Sequence, residues 1–279
     1  MAGLTIRKRQ LGAALRQLRI DAGDTREQTA FVLGCSATKV TNVESGRNVI
    51  GKTELIVLLQ HYGAGSAGKL EALEELRQEA GKRGWWSTAR LPEWLANYVG
   101  LETEASSVRS FELELIPGLL QTEQYAREVH VLRGQKPGDL ERRVKARLRR
   151  QERLTASDPL RLSALISEAA LARCARQPGV AADQFRQLLG WAQLPNVKIQ
   201  VLPFATGLHS GMQGGFTLLS FPEGLLPDAG WQEYALGGHI IDDPTDVASL
   251  TTLYDELRGQ SLGCDESLTL LAEFAENTL

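Results

Sequence analysis

Residues 25–47 read TREQTAFVLGCSATKVTNVESGR, and this stretch decides the fold of the first part of the chain. Thr25 is followed three residues later by Gln28. This is the form of a capping box, in which a hydroxyl caps the start of a helix and the glutamine side chain returns to the cap backbone. The pattern therefore predicts a helix over about 26–33, which Gly34 ends.

A second short helix follows the turn at Gly34. Ser36 can cap this helix, which should end near Gly46. Val40 and Val43 lie three positions apart and therefore share its inward face. Two short helices joined by a glycine-containing turn match the helix-turn-helix arrangement, which places the later helix in the major groove of DNA.

The flanking residues predict two further helices. Leu11, Leu15 and Leu18 form one apolar stripe on a helix over about 11–22. The last helix, over about 52–62, should bury Leu55, Leu58 or Leu59, and Tyr62. We expect these helices to form an all-α helix-turn-helix domain over residues 1–64. A solvated helical bundle with no DNA partner is the alternative interpretation.

The outward face of the helix over 36–45 carries the candidates for reading bases. They are Ala37, Thr38, Lys39, Thr41 and Asn42. Asparagine can pair with adenine through two hydrogen bonds, threonine can hydrogen-bond a base edge, and methyl groups can contact thymine. Candidates for phosphate contacts lie at helix ends and in the following loop. They are Arg26, Arg47, Asn48 and Lys52.

Charge is unevenly distributed along the 279 residues. Residues 1–62 carry a net charge of +4, residues 63–160 carry +1, and residues 161–279 carry -8. A basic head on an acidic body lets the head approach a polyanion such as double-stranded DNA while the body is repelled. With 43% hydrophobic and 23% charged residues, the composition is that of a globular protein and excludes a disordered chain.

The sequence has no apolar run of the length that a transmembrane helix or a signal peptide needs, so we expect a cytoplasmic protein with no membrane partner. Cys35, Cys174 and Cys264 are widely spaced and form no CxxC pair. We therefore expect three buried thiols, no metal site and no cofactor.

Four residues are the natural candidates for an enzyme site: His209, Ser210, Asp242 and Asp243. A nucleophile needs a nearby base and an orienting carboxylate, and no motif ties these residues together. Residues 207–215 are glycine-rich and predict a flexible turn between strands. We therefore expect no catalytic residues and a protein that is not an enzyme.

Residues 85–279 predict an α+β body. We expect strands over 111–116, 160–167, 197–202, 216–221 and 231–236. We expect helices over 92–104, 122–132, 139–154, 181–193, 244–258 and 265–276, and one that starts near Glu168. The helix over 139–154 is basic and could contact the DNA backbone or an acidic partner, although such a charge run is usually a solvated face.

Residues 65–84 predict an exposed helix that connects head and body. Leu70, Leu73 and Leu76 lie there among charges of both signs. The expected organisation is therefore multidomain, with the helix-turn-helix domain over 1–64, the connecting helix over 65–84 and a regulatory and dimerisation domain over 85–279.

The head resembles the lambda-repressor-like (XRE) helix-turn-helix family over residues 11–47, including the turn at 34–36 and the closing residues 44–47. In repressors of this family an arginine of the first helix and the glutamate before the closing glycine form a structural pair. The resemblance thus implies a pair of Arg19 and Glu44. A phosphate contact by Arg19 is the alternative.

Two residues depart from the family pattern. Arg26 stands where the family often has a glutamine that contacts DNA, and Thr29 stands where alanine or leucine is usual. The first departure concerns the operator sequence, and the second concerns only packing.

The body resembles the domain of unknown function that follows the helix-turn-helix in many actinobacterial regulators. The matching stretches are 98–102 (YVGLE), 116–122 (IPGLLQT), 150–154 (RQERL), 194–197 (LPNV), 201–204 (VLPF) and 242–244 (DDP). The resemblance implies a transcriptional regulator, antitoxin-like in some relatives and often encoded beside a small partner protein.

Two functions remain open at this point. The first is a sequence-specific DNA-binding regulator that acts as a homodimer on a pseudo-palindromic operator, with most of the interface supplied by the body. The body includes four tryptophans of the kind enriched in interface cores, although some of them must belong to the intramolecular core. These four are Trp85, Trp86, Trp94 and Trp231. The second is an antitoxin-like module that binds a small protein from a neighbouring gene and regulates its own synthesis. A small-molecule effector pocket is a further alternative, with lining residues Trp85, Trp86, Phe204 and Met212.

Overall fold

The chain forms two compact units in the computed structural model, which describes residues 6–81, 84–132, 134, 136–177, 179–222 and 227–277. The first unit contains the described residues up to 88 together with 96–104. The second contains residues 89–95 and the described residues from 105 onward, apart from the gaps. The first is helical and the second combines helices with a sheet. The expected multidomain fold, an all-α head and an α+β body, is confirmed.

The first unit opens with α1 (Ile6–Asp21), α2 (Arg26–Leu33), α3 (Ala37–Glu44), α4 (Lys52–His61) and α5 (Ala67–Gly81). The predicted apolar stripe of α1 is confirmed, because Leu11, Leu15 and Leu18 are buried. They join Ile50 and the buried leucines of α4 in one hydrophobic cluster. The helices predicted over 11–62 are therefore present, except that α1 begins at Ile6 rather than near residue 11.

Gly12 lets α1 approach the end of α3 closely. A Cβ atom at this position would lie 2.4 Å from the carbonyl oxygen of Glu44 and 2.6 Å from that of Val43. Both are backbone atoms, which cannot rotate away as the end of a side chain can. A larger residue would therefore push α1 away from the carboxyl end of α3.

The segment expected to be an exposed connecting helix is part of the packed head. Leu73 and Ala80 of α5 are buried in the same cluster as the leucines of α1, and Leu70 and Leu76 pack against it. The leucines recur every third residue, so they form one stripe that α1 covers. Glu71, Glu75 and Glu79 of the same helix are exposed, whereas Glu74 and Arg77 are partly buried and form an ion pair.

The rest of the chain alternates helices and strands. The helices are α6 (Glu93–Glu104), α7 (Glu123–Leu132), α8 (Pro137–Gln151), α9 (Glu168–Ala175), α10 (Ala181–Trp191), α11 (Pro244–Gln260) and α12 (Cys264–Glu276). The strands are β1 (Ser107–Glu112), β2 (Arg161–Ser167), β3 (Val197–Leu202), β4 (Phe216–Ser220), β5 (Ala229–Tyr234) and β6 (Gly237–Ile241).

These strands form a mixed sheet with the order β3-β2-β1-β4-β5-β6. The first three strands run parallel to one another, and β4, β5 and β6 each run antiparallel to the strand before them in this order. The carboxyl ends of β1, β2, β3 and β5 therefore share one edge of the sheet with the amino ends of β4 and β6. Helix α11 covers one face, where Tyr254 and Leu257 pack with Phe111 and Leu218.

One predicted strand was wrong in position, and one strand was not predicted. The first strand covers 107–112 rather than 111–116, because its pairing with β4 ends at Phe111 and Phe216 and leaves the later residues without a partner strand. Strand β6 was not predicted, since its two glycines conceal a strand pattern. Gly238 is required there by packing, because a Cβ atom would lie 2.3 Å from Cζ2 of Trp231.

Buried glutamines hold the stretch 116–122 in place. The side-chain amide of Gln121 donates to the carbonyl oxygen of Ile116 at 2.7 Å, and that of Gln184 donates to Leu120 at 2.8 Å. The Gln151 amide donates to the carbonyl oxygen of Gln121 at 2.6 Å. Each bond satisfies a backbone carbonyl that no helix or strand pairs, so this stretch has a structural role in the body.

The expectation of three buried thiols holds for one of them. Cys174 is buried, and this burial raises the pKa of its thiol to about 12. Cys264 is exposed and Cys35 is partly exposed, so the expectation was wrong for these two. Both lie at the start of a helix or in a turn, where the backbone faces solvent.

Candidate nucleic-acid interface

The turn between α2 and α3 is fixed by the caps that the sequence predicts. The Gln28 backbone N–H donates to the Thr25 hydroxyl at 3.2 Å, and the Thr25 N–H donates to the Gln28 side chain at 2.7 Å. Gly34 has a φ of 60°, a left-handed conformation that glycine adopts without strain. Ser36 then accepts a hydrogen bond from the Lys39 N–H at 3.3 Å and begins α3.

Helix α3 presents its predicted reading face to the outside. Val40 and Val43 are buried, whereas Thr38 is exposed and Ala37 and Asn42 are partly exposed. The side-chain amide of Asn42 makes no hydrogen bond to any residue that the structure describes. Both its donor and its acceptor are therefore available to a base edge.

The other two reading candidates have partners within the head. The Thr41 hydroxyl donates to the carbonyl oxygen of Ala37 at 3.1 Å, which leaves its methyl group and its oxygen lone pairs for DNA. Lys39 forms an ion pair with Glu54 of α4. Their hydrogen bond raises the pKa of Lys39 and lowers the pKa of Glu54. The structure thus ties Lys39 to α4 instead of leaving it free on the reading face.

The carboxylate of Glu44, at the end of α3, binds two arginines. Arg19 Nε lies 2.5 Å from Glu44 Oε1 and its Nη2 lies 3.2 Å from Oε2, so the predicted partners contact each other. Arg26 Nε lies 3.0 Å from Oε2. The Glu44 side chain is only 5% exposed. Its hydrogen bond to Glu44 raises the pKa of Arg19, and Arg19 also donates to the carbonyl oxygen of Asp24 at 2.7 Å.

The sequence predicts that Arg26 contacts phosphate, and the structure shows that it also has a partner within the head. Its Nε is used by Glu44, but its side chain is 41% exposed at the first position of α2. The hydrogen bond to Glu44 therefore holds the Arg26 guanidinium in one orientation, and part of this group still reaches solvent.

Residues after α3 lie close to the reading face. Gly46 has a φ of 74° and packs against the start of α1, where a Cβ atom would lie 2.8 Å from the Arg9 nitrogen. The Asn48 N–H donates to the carbonyl oxygen of Asn42 at 3.0 Å, which folds the loop back onto α3. Arg47 and Asn48 are exposed there, and Lys52 is exposed at the start of α4.

The unusual threonine of α2 is explained by a partner on α4. Thr29 is buried, and its hydroxyl lies 2.8 Å from the hydroxyl of Tyr62. An alanine or leucine at this position would leave the Tyr62 hydroxyl without this bond. Burial raises the pKa of Tyr62.

Phe31 is a surface residue that the sequence reasoning missed. Its side chain lies on α2 and is 88% exposed. The buried positions of this helix are Thr29 and Ala30. Position 31 is not one of the positions that face inward at the helical period, so the spacing indicates that Phe31 faces solvent.

The residues considered for catalysis do not come together. His209 and Ser210 lie in the connection from β3 to β4, at the edge where β3 ends, whereas Asp242 and Asp243 follow β6 at the opposite edge. Asp243 caps α11 by accepting a hydrogen bond from the Thr245 N–H at 2.9 Å. Within the described ranges, no group of three metal-ligating side chains is assembled.

The four tryptophans form two pairs of neighbouring rings, and the dimer interface and the effector pocket stay predictions. Trp86 and Trp231 are buried within the protein, Trp85 contacts Trp86, and Trp94 stacks on Trp231 with centroids 6.0 Å apart. Trp85 and Trp94 are partly exposed. Trp85 and Trp86 belong to the first unit, whereas Phe204 and Met212 are exposed in the second.

Two family models match the chain. A helix-turn-helix domain covers residues 10–73, and a domain of unknown function (DUF5753) covers residues 95–273. The chain belongs to the DUF5753 family. The expected combination of a helix-turn-helix with a carboxy-terminal domain of unknown function is thereby confirmed. This DUF5753 protein matches no curated protein and no solved structure.

The helix-turn-helix match favours DNA binding in a regulatory, non-enzymatic role. The match ends at residue 73, inside α5, which agrees with the packing of this helix on α1. As for membranes, none of the helices that the structure describes has the length and apolarity to cross one.

Proposed function

We propose that this DUF5753 protein is a sequence-specific transcriptional regulator that reads the major groove with α3. The observation that carries the proposal is the outward face of α3, where Thr38 and the unpaired Asn42 amide are held on a helix with both ends fixed. Such side chains are the ones that distinguish bases by hydrogen bonds and methyl contacts.

Electrostatics support the same face. The acidic residue of α3, Glu44, is buried against Arg19 and Arg26, so it adds no exposed negative charge next to DNA. Arg47 and Lys52 are exposed nearby and can contact phosphates. Arg26 can add a further phosphate contact through the part of its guanidinium that Glu44 does not bind.

We further propose that the protein acts as a homodimer on a pseudo-palindromic operator. One helix of this length reads only a few base pairs, and helix-turn-helix proteins usually gain specificity by placing two such helices about 34 Å apart along the duplex. We expect the body to supply most of the dimer interface, because the reading helix of the head must stay free for DNA.

In vitro selection from a library of random duplexes, with the full chain, tests this function. We expect enrichment of an inverted repeat whose half-sites are centred about one helical turn, roughly 10 base pairs, apart. Recovery of unenriched sequence would contradict sequence-specific reading. A single enriched half-site would contradict the dimer but not the reading face.

A further inference from the structure

Three long cationic side chains start from neighbouring positions on one face of the sheet in the second unit. Arg109 of β1 is paired with Ser163 of β2, and Ser163 is paired with Lys198 of β3. Paired residues of neighbouring strands point to the same face of a sheet, so these three form one row across the strands. Arg161 lies two positions before Ser163 on β2 and therefore points to this face as well. We call these four residues the basic row.

The basic row is short enough for one small molecule to contact all three cations. Neighbouring strands are about 4.8 Å apart, so roughly 10 Å separates the Cα atoms of Arg109 and Lys198, with Ser163 between them. The Cα atom of Arg161 lies about 7 Å along β2 from that of Ser163. Arginine and lysine side chains are long enough to meet above Ser163 from these positions.

The Arg109 guanidinium is held in place by an aromatic ring. Its central carbon lies 5.6 Å from the centroid of the Tyr254 ring, which is a cation–π contact. Tyr254 is fixed in turn, because its hydroxyl donates to the carbonyl oxygen of Ser163 at 2.9 Å. The Arg109 side chain is 24% exposed and makes no hydrogen bond to any residue that the structure describes. Its N–H donors are therefore oriented and available to a bound molecule.

The carboxylates near Arg109 leave these donors available. Asp228 Oδ2 lies 3.9 Å from Arg109 Nη2, which is longer than a hydrogen bond, and this oxygen already accepts from the Ser220 hydroxyl at 2.7 Å. Asp255 of α11 lies 3.2 Å from Arg258 and forms an ion pair with it. Asp228 thus gives Arg109 one weak ion pair, and Asp255 has a different partner.

Arg161 and Lys198 have no acceptor of their own. Both are exposed, and neither side chain forms an ion pair or a hydrogen bond within the described part of the chain. Like charges on neighbouring strands repel each other, and an anion bound between them would remove this repulsion. Residues 161–279 contain only six Lys or Arg against 14 Asp or Glu. This acidic segment therefore places two of its few cations side by side.

The charges and their spacing indicate a compact anion. A guanidinium group can donate two parallel hydrogen bonds to a phosphate, and the basic row offers two such groups and one ammonium group. An extended polyanion such as duplex DNA would also meet the net charge of -8 that residues 161–279 carry, whereas a compact anion would contact only the row. We propose that the basic row binds a small molecule that carries two or more phosphate groups.

Isothermal titration calorimetry of the full chain with inorganic pyrophosphate tests this proposal. We expect one molecule to bind per chain with a dissociation constant below about 100 μM. Inorganic phosphate should bind more weakly, because it offers fewer oxygen atoms to the three cations. The double variant Arg161→Gln/Lys198→Gln should bind pyrophosphate at least about tenfold more weakly, because it removes two of these cations.

The double variant Arg176→Gln/Arg186→Gln is the matched control. It removes the same charge from exposed positions of the second unit that lie outside the basic row. Its affinity for pyrophosphate should stay within about twofold of that of the natural chain, because distant exposed charges are screened by salt. The side chains changed in both variants are exposed, so circular dichroism melting curves should coincide with that of the natural chain.

Three results would overturn the proposal. The first is that the natural chain binds no pyrophosphate at about 1 mM. The second is an equal loss of affinity in the two double variants, which would show that net charge and not the row attracts the anion. The third is an unchanged pyrophosphate affinity in Arg161→Gln/Lys198→Gln; if this variant also bound random duplex DNA more weakly, the row would be assigned to the DNA backbone. DNA binding by α3 is measured separately, so its failure would leave this proposal standing.

Discussion

Replacing Glu44 by alanine should destabilise the head more than removing either arginine that it binds. Glu44 accepts hydrogen bonds from Arg19 at 2.5 and 3.2 Å and from Arg26 at 3.0 Å. Without the carboxylate, the Arg19 guanidinium stays in a site where its side chain is 11% exposed. Breaking a buried pair costs about 3–5 kcal/mol. We expect about 3 kcal/mol, because Arg19 keeps its bond to the carbonyl oxygen of Asp24.

The two arginine variants should lower the free energy of unfolding less than Glu44→Ala does, and Arg19→Ala should lower it more than Arg26→Ala. Arg19→Ala leaves Glu44 with one remaining partner, so the loss should be about 2 kcal/mol. Arg26→Ala removes a side chain that is 41% exposed, and pairs of that exposure contribute about 0.5–1 kcal/mol. Asp183→Ala is the matched control, since it breaks an exposed ion pair with Arg186 in the second unit.

Hydrogen–deuterium exchange of the full chain measures the loss of stability at individual helices of the head. Exchange of the slowest amides of α1 and α3 should accelerate by about 100-fold in Glu44→Ala, which is the change that about 3 kcal/mol produces. The control should leave these amides unchanged. If Arg26→Ala accelerated exchange as much as Glu44→Ala, or if none of the variants accelerated it, the ion pairs of Glu44 would not stabilise the head as argued.

Three further predictions follow from single contacts. Gly12→Ala should lower the melting temperature of the head, at a cost of about 1–3 kcal/mol, because its Cβ atom would meet backbone of α3; an unchanged melting curve would refute the close approach. The hydrogen bond from Lys39 lowers the pKa of Glu54, so this pair should stabilise the head above the usual carboxyl pKa of 4.5 and should lose its effect as the pH falls through the lowered pKa. In a plot of the free energy of unfolding against pH, Glu54→Gln should remove this decrease at acid pH; an unchanged decrease would contradict the pair. A thiol reagent should label Cys264 quickly and leave Cys174 unreacted until the body unfolds, since burial raises the pKa of Cys174 to about 12; rapid labelling of Cys174 would contradict its burial.

The local features of the head could be predicted from the sequence because their signals lie within a few residues. The capping box at Thr25, the cap at Ser36 and the apolar stripe of α1 each depend on neighbours in the chain. The pair of Arg19 and Glu44 is 25 residues apart, and it came from a family resemblance instead of from the spacing.

The features that the sequence does not predict depend on contacts between residues that are distant in the chain. Arg26 meets Glu44 and Lys39 meets Glu54 only after the helices have packed, so the sequence pattern predicts DNA contacts for both cations and neither ion pair. Strand β6 depends on its pairing with β5, which overrides the weak strand preference of Gly237 and Gly238. The connection 203–215 is likewise anchored to the core, unlike the flexible turn that its glycines predict, since a Cβ atom on Gly211 would lie 2.6 Å from Phe111 and 2.8 Å from Leu257.

The most direct test of the reading face compares two variants on two DNAs. Binding of Asn42→Ala and Arg47→Ala to the selected operator and to random duplex is measured by fluorescence anisotropy over a range of salt concentrations. We predict that Asn42→Ala loses about 1–3 kcal/mol on the operator and almost nothing on random DNA, because it removes a base contact. Arg47→Ala should weaken both alike and reduce the salt slope by about one. Equal loss on both DNAs for Asn42→Ala would contradict the claim that α3 reads the operator.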